Sequence, residues 1–142
     1  MLKRVIEYFK ELPIKELKQD ERLDFFVKLL AVATYADKKI KNVEVSETQI
    51  IIEDFLQNHF DNKEKILNLE ELNLLKNYIH KRYVKRLEIY KKDSQEFIAD
   101  RLYIINSPKR KEEIFQYYLQ EIIKADHILT EEEKELEKEF KK

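Results

Sequence analysis

The chain has 142 residues, a formal net charge of −1, 43% apolar and 40% charged residues, no cysteine, no glycine and two prolines. At this length one domain is expected. The missing glycine argues against phosphate loops, dinucleotide folds and tight hairpins, and the missing cysteine excludes disulfides, thiol catalysis and thiolate metal sites.

Residues 2–10 read as a short amphipathic helix, with Val5, Ile6 and Phe9 on one side and Pro13 as its breaker. Such a segment could associate peripherally with a membrane. Its short length and mixed charge favour packing on the domain's own core. Residues 21–37 read as a long helix with Leu23, Phe26, Val27, Leu30 and Thr34 as the inner stripe. A loop over 38–45 follows. Ser46, with Gln49 three residues on, has the form of a capping box and starts a helix to about Phe60, with Ile52, Phe55 and Leu56 inward. His59 continues that stripe with no histidine at i+4 to form a metal pair.

Asp61-Asn62 is a break. A long helix then begins near Lys63 or Asn68 and runs to Lys92, with Leu72, Leu75, Ile79, Tyr83, Leu87 and Tyr90 at three- and four-residue spacing. Asp93-Ser94 starts a helix over 95–106, with Ile98, Leu102 and Ile105 inward. Ser107-Pro108, a cap followed by proline, starts another over 108–126. Thr130 and Glu133 form a second capping box, and the last helix runs from Glu131 to about Phe140.

Two stretches repeat one pattern. Ala125-Asp126 is preceded by Ile122, Leu119 and Phe115, four, seven and eleven residues before the aspartate. Ala36-Asp37 is preceded by Ala33, Leu30 and Phe26 at the same offsets. Pairing Ser46 with Thr130 aligns the following helices as well, at the expense of a five-residue insertion in the first copy, around KKIKNVEV. Two copies are too few for a solenoid, so the expectation is all-α: a compact bundle of about seven helices built on a pseudo-duplicated helix–turn–helix. It spans 1–142, with 1–20 as an N-terminal extension.

The pattern resembles the TerB-like family of tellurite-resistance-type helical domains, which also occur at the N-terminus of some membrane-anchored co-chaperones. Its hallmark is Ala-Asp-Gly, a hydrophobic residue, Ser or Thr, two variable positions and Glu, once near each end of the domain. ADHILTEEE fits, with His127 in the glycine's place; ADKKIKNVEVSETQ departs further, with Lys38 for glycine and Gln49 for the acid. The resemblance covers residues 20–142. It implies an interaction or stress-response module linked to tellurite, metal or envelope stress, with protein partners at the membrane. It implies no reaction.

Asp37 and Asp126 stand out because a carboxylate at a helix C-terminus meets the negative end of the dipole and needs compensation. It can accept N–H groups from the following turn, or hold a cation. An oxygen-only set of Asp37, Glu47, Asp126 and Glu133 would suit Ca²⁺ or Mg²⁺, and the resemblance implies acidic residues at such positions. No EF-hand loop is present, and the expectation is that no cofactor is needed. The basic stretch 76–92 offers Lys81, Lys85 and Lys92 on one stripe for nucleic acid. Glu88 interrupts it, and a solvated face or a dock for an acidic partner is favoured. Ser46, Ser94 and Ser107 all read as helix caps and no nucleophile constellation is present, so an enzyme is not expected. No apolar run approaches the ~18 residues of a membrane span and the start lacks a signal-peptide core. The expected location is cytoplasmic.

Overall fold

The computed structural model describes residues 20–58 and 69–142. The helix expected over 2–10, Pro13, His59 and the break at Asp61-Asn62 lie outside them. Among the described residues the chain is all-helical, without strands: α1 (Glu21–Thr34), α2 (Asn42–Asn58), α3 (Leu69–Lys92), α4 (Ser94–Asn106), a 3-10 turn (Pro108–Lys111), α5 (Glu113–Ile123) and α6 (Glu131–Lys141).

Helix α1 is the axis. Asp20 caps it, its Oδ1 accepting from Leu23 N at 3.0 Å. The inner stripe is as expected, but Phe25, Leu29 and Val32 on the other sides are also fully buried. A helix apolar all round must be enclosed, and α2, α3, α4 and α5 pack against it. Phe26 stacks on Phe55 of α2 with centroids 3.9 Å apart, and Phe25 meets Phe115 of α5 edge-on at 4.9 Å. These aromatic contacts join α1, α2 and α5 into one core.

Helix α3 buries the six residues that its spacing picks out. Helix α4 is rotated from expectation. Phe97, Asp100 and Ile104 are buried, whereas Ile98 and Leu102 are 45% and 50% exposed. Asp100 takes the inner position because α3 supplies its partners: Arg86 Nη2 at 2.6 Å, Arg86 Nε at 2.9 Å and the Tyr90 hydroxyl at 2.6 Å. A buried carboxylate is tolerated when its acceptor sites are satisfied in this way. The rotation leaves an apolar stripe facing outward.

Two helix starts also differ. Ser107 is a cap, its Oγ accepting from Lys109 N, but of a 3-10 turn that ends at Lys111. Helix α5 starts only at Glu113 and ends at Ile123. Ser94 is the first residue of α4, whose cap is Asp93. No helix among the described residues is long and apolar enough to cross a membrane.

Candidate functional site

The two Ala-Asp turns come together. After α1, Lys38 N donates to Tyr35 O at 2.8 Å and Lys38 adopts φ 64°. After α5, His127 N donates to Lys124 O at 3.0 Å and His127 adopts φ 61°. Both residues occupy the left-handed position usual for glycine at a helix end; in a chain without glycine, a lysine and a histidine take it. Each aspartate then accepts from the backbone two residues on: Asp37 Oδ1 from Lys39 N at 3.1 Å, Asp126 Oδ1 from Ile128 N at 3.0 Å. This local bond is the compensation that a carboxylate at a helix end requires.

Helix α2 begins at Asn42, so Ser46 lies inside it and caps nothing. Gln49 closes no capping box. Its amide pairs with His80 Nδ1 of α3 at 2.5 Å, and burial lowers the pKa of His80, favouring the neutral acceptor form. The residue before α2 is Lys41, four positions after Asp37, as Thr130 is four after Asp126. The proposed insertion therefore disappears. In this register Glu44 corresponds to Glu133, and both are fully buried.

The second turn satisfies itself. Thr130 Oγ1 accepts from Glu133 N at 3.2 Å, while Glu133 Oε1 accepts from Thr130 N at 3.0 Å and from the Thr130 hydroxyl at 3.0 Å. The first turn has no hydroxyl at that place. Lys41 instead extends across the gap. Its Nζ lies 2.6 Å from Asp126 Oδ2, 2.9 Å from Asp37 Oδ2 and 3.8 Å from Glu44 Oε1. One ammonium thus clasps both turns.

The electrostatics follow. Partial burial works against the Lys41 ammonium, but its bonds to Asp126 and Asp37 outweigh this and raise its pKa. The bond from Lys41 holds the Asp126 carboxyl below its ordinary value. Burial, reinforced by repulsion from Glu133 and opposed by Lys41, pushes Glu44 up to about 8. Burial also raises Glu133, against the bonds from Thr130. Both Glu44 oxygens and Glu133 Oε2 are buried without a hydrogen-bond partner among the described residues. Beneath Glu44 lies a buried polar cluster in which the Tyr83 and Thr34 hydroxyls are 2.8 Å apart and Thr34 donates to Leu30 O. Burial raises Tyr83, with Thr34 and Thr48 opposing and the Glu44 charge adding.

Of the four acids expected to share a cation, Asp37 and Asp126 meet on Lys41, and Glu133 faces their charges. Glu47 does not join them: it is half-buried on α2, and its pKa is raised by burial and then by the Glu121 charge on α5. The position that sequence reasoning missed is Glu44, visible only when Lys41 is accepted as the residue opening the helix. Among the described residues no group of three or more His, Asp or Glu side chains is arranged to hold a metal ion. Lys81, Lys85 and Lys92 are all exposed on α3. No protein-family model, curated protein or solved structure matches the chain.

Proposed function

We propose that the chain is a TerB-like, non-enzymatic interaction module whose two Ala-Asp turns form a rigid base and whose α4 presents a docking stripe to a protein partner. Support for the family reading is the shared construction of the turns: equal spacing, a left-handed residue after each aspartate, the same aspartate-to-backbone bond and a buried glutamate at the same offset. The observation that carries the interaction reading is on α4. Ile98 and Leu102, one helical turn apart, are 45% and 50% exposed, with Tyr103 beside them at 36%. Aligned apolar side chains on a helix suit a partner's hydrophobic groove or helix. Ion pairs to Asp100 and Arg101 from neighbouring helices hold α4 in this orientation. A stress-response role, in the cytoplasm or at a membrane surface, goes with the family reading.

The test is retention of a partner from extracts of the source cell on immobilised protein. The wild type retains a specific protein, and Ile98→Ser/Leu102→Ser loses it while keeping helicity and melting temperature. Equal retention by both, or none by either, contradicts the reading.

A second reading, divalent-cation binding, draws on the unpartnered oxygens of Glu44 and Glu133. Lys41 stands against it, because its ammonium occupies the position between Asp37 and Asp126 that a cation would take. On this reading Ca²⁺ or Mg²⁺ raises the melting temperature of the wild type, more so in Lys41→Met, and the gain is lost in Asp126→Asn. The absence of any thermal response in Lys41→Met removes it.

A further inference from the structure

Between α1 and α3, away from the clasp, lies an open cleft of about 460 Å³, within the range of small-molecule sites. The chain as a whole is nearly neutral, yet this cleft is lined by Lys28, Arg82, Lys85 and Arg86 against a single acid, Asp24. Arg86 is neutralised from α4, by Asp100 at 2.6 Å and Glu96 at 3.2 Å. Lys28 and Arg82 share Asp24, with Lys28 Nζ at 3.0 Å and Arg82 Nη2 at 3.4 Å from its two oxygens. Lys85 is exposed, and no acid pairs with it among the described residues. Four basic side chains thus face three acids, and one positive charge is in excess. Arg82 Nη1 is buried without a hydrogen-bond partner among the described residues, and a buried charged donor in that state calls for an acceptor.

The walls are not polar throughout. Val27 and Ile89 line the cleft from opposite helices, and the Arg82 guanidinium lies 5.8 Å from the centre of the Tyr78 ring. We propose that this cleft binds a small phosphomonoester with an apolar or aromatic body. A phosphomonoester carries a charge of roughly −1.5 to −2 at neutral pH and three strong acceptor oxygens, which complements the basic lining. The Arg82 fork supplies directed donors and the two lysines supply point charge, while the body lies against Val27, Ile89 and the Tyr78 ring. Lys81 and Lys92, also basic and exposed on α3, do not line the cleft, so the site is distinct from a general cationic face.

The test is calorimetric titration of the full chain with phenyl phosphate, inorganic phosphate and benzyl alcohol. Phenyl phosphate binds saturably and about tenfold or more tighter than inorganic phosphate, as burial of its ring requires, and benzyl alcohol does not bind. Arg82→Gln removes most of the binding. Lys85→Gln, at an exposed position without an acidic partner among the described residues, keeps the fold and weakens binding several-fold. Lys92→Gln leaves it unchanged. No saturable binding, equal affinity for phenyl and inorganic phosphate, or indifference to Lys85→Gln overturns the proposal. So does tighter binding of a single-stranded oligonucleotide that is lost on Lys81→Gln, which assigns the charge to the solvent face.

Discussion

The two Ala-Asp turns share a backbone conformation and differ most in the residue that opens the next helix. At the second turn that residue is Thr130, and its hydroxyl and amide are satisfied by Glu133 within the same turn. At the first it is Lys41, which leaves the Glu44 carboxylate without a hydrogen bond among the described residues and reaches to Asp126 of the other turn. One turn closes its helix cap locally; the other makes its contact across the gap. The same architecture thus yields a self-capped element and an electrostatic staple, depending on whether the side chain is a short hydroxyl or a long cation.

The sharpest way to break this contrast is Lys41→Met. It takes from the Asp37 and Asp126 carboxylates the ammonium that joins them and removes the cation that offsets Glu44. Removing one member of such a set is expected to cost about 3 kcal/mol at neutral pH, read as a lower urea midpoint with an unchanged slope. A loss within experimental error would show that the staple is ornamental.

A comparable effect follows from pH. The folded-state pKa of Glu44 is raised from 4.5 to about 8, so between these values the native state keeps a proton that the unfolded chain has released. Its contribution is fully present below about 4.5 and is lost as pH rises toward 8. The groups acting on it are Lys41 and Asp37 from its own side and Asp126 and Glu133 from the other turn, and Tyr83 of α3 feels its charge. Glu133, also raised, acts in the same direction. Asp126, lowered, acts oppositely, but only as pH falls through the acid range, and Lys41, raised, matters only at alkaline pH. Wild-type stability should therefore fall between mildly acidic pH and pH 8, and Glu44→Gln should flatten that slope and be the more stable protein at pH 8, by on the order of 2 kcal/mol. Burial lowers His80, which acts oppositely in the same interval, so the difference between the two proteins decides: a wild type at least as stable as Glu44→Gln at pH 8 contradicts the assignment.

The smallest expected effect is at the self-sufficient turn. Thr130→Ala removes one half of the capping box and should cost about 1 kcal/mol, and loss of the hydroxyl bond should push the Glu133 carboxyl further up. A loss as large as that of Lys41→Met would mean that the two turns are not separable in this way.

Where one face of a helix is apolar and the rest charged, the fold can be read directly, as the six buried residues of α3 illustrate. Helix α4 defeats that reasoning because it is apolar on two faces. Of the more regular stripe Ile98, Leu102 and Ile105, only Ile105 packs against the core; the buried side is chosen by Asp100, whose partners Arg86 and Tyr90 belong to α3. The start of α2 misleads for a related reason. Ser46 and Gln49 satisfy the rule for a capping box, whereas Lys41 has no capping hydroxyl and takes its role from Asp126, far along the chain. The aspartates and the left-handed position of His127 were legible because they are local. The clasp was not, because it exists only once α1 and α5 lie side by side.

The claim at the centre is that Lys41 couples the two turns energetically, and a double-mutant cycle of Lys41→Met and Asp126→Asn tests it most directly. Unfolding free energies at neutral pH should show an interaction of more than about 1 kcal/mol between the two positions. Additivity within about 0.5 kcal/mol would contradict the account, leaving each turn to stand alone.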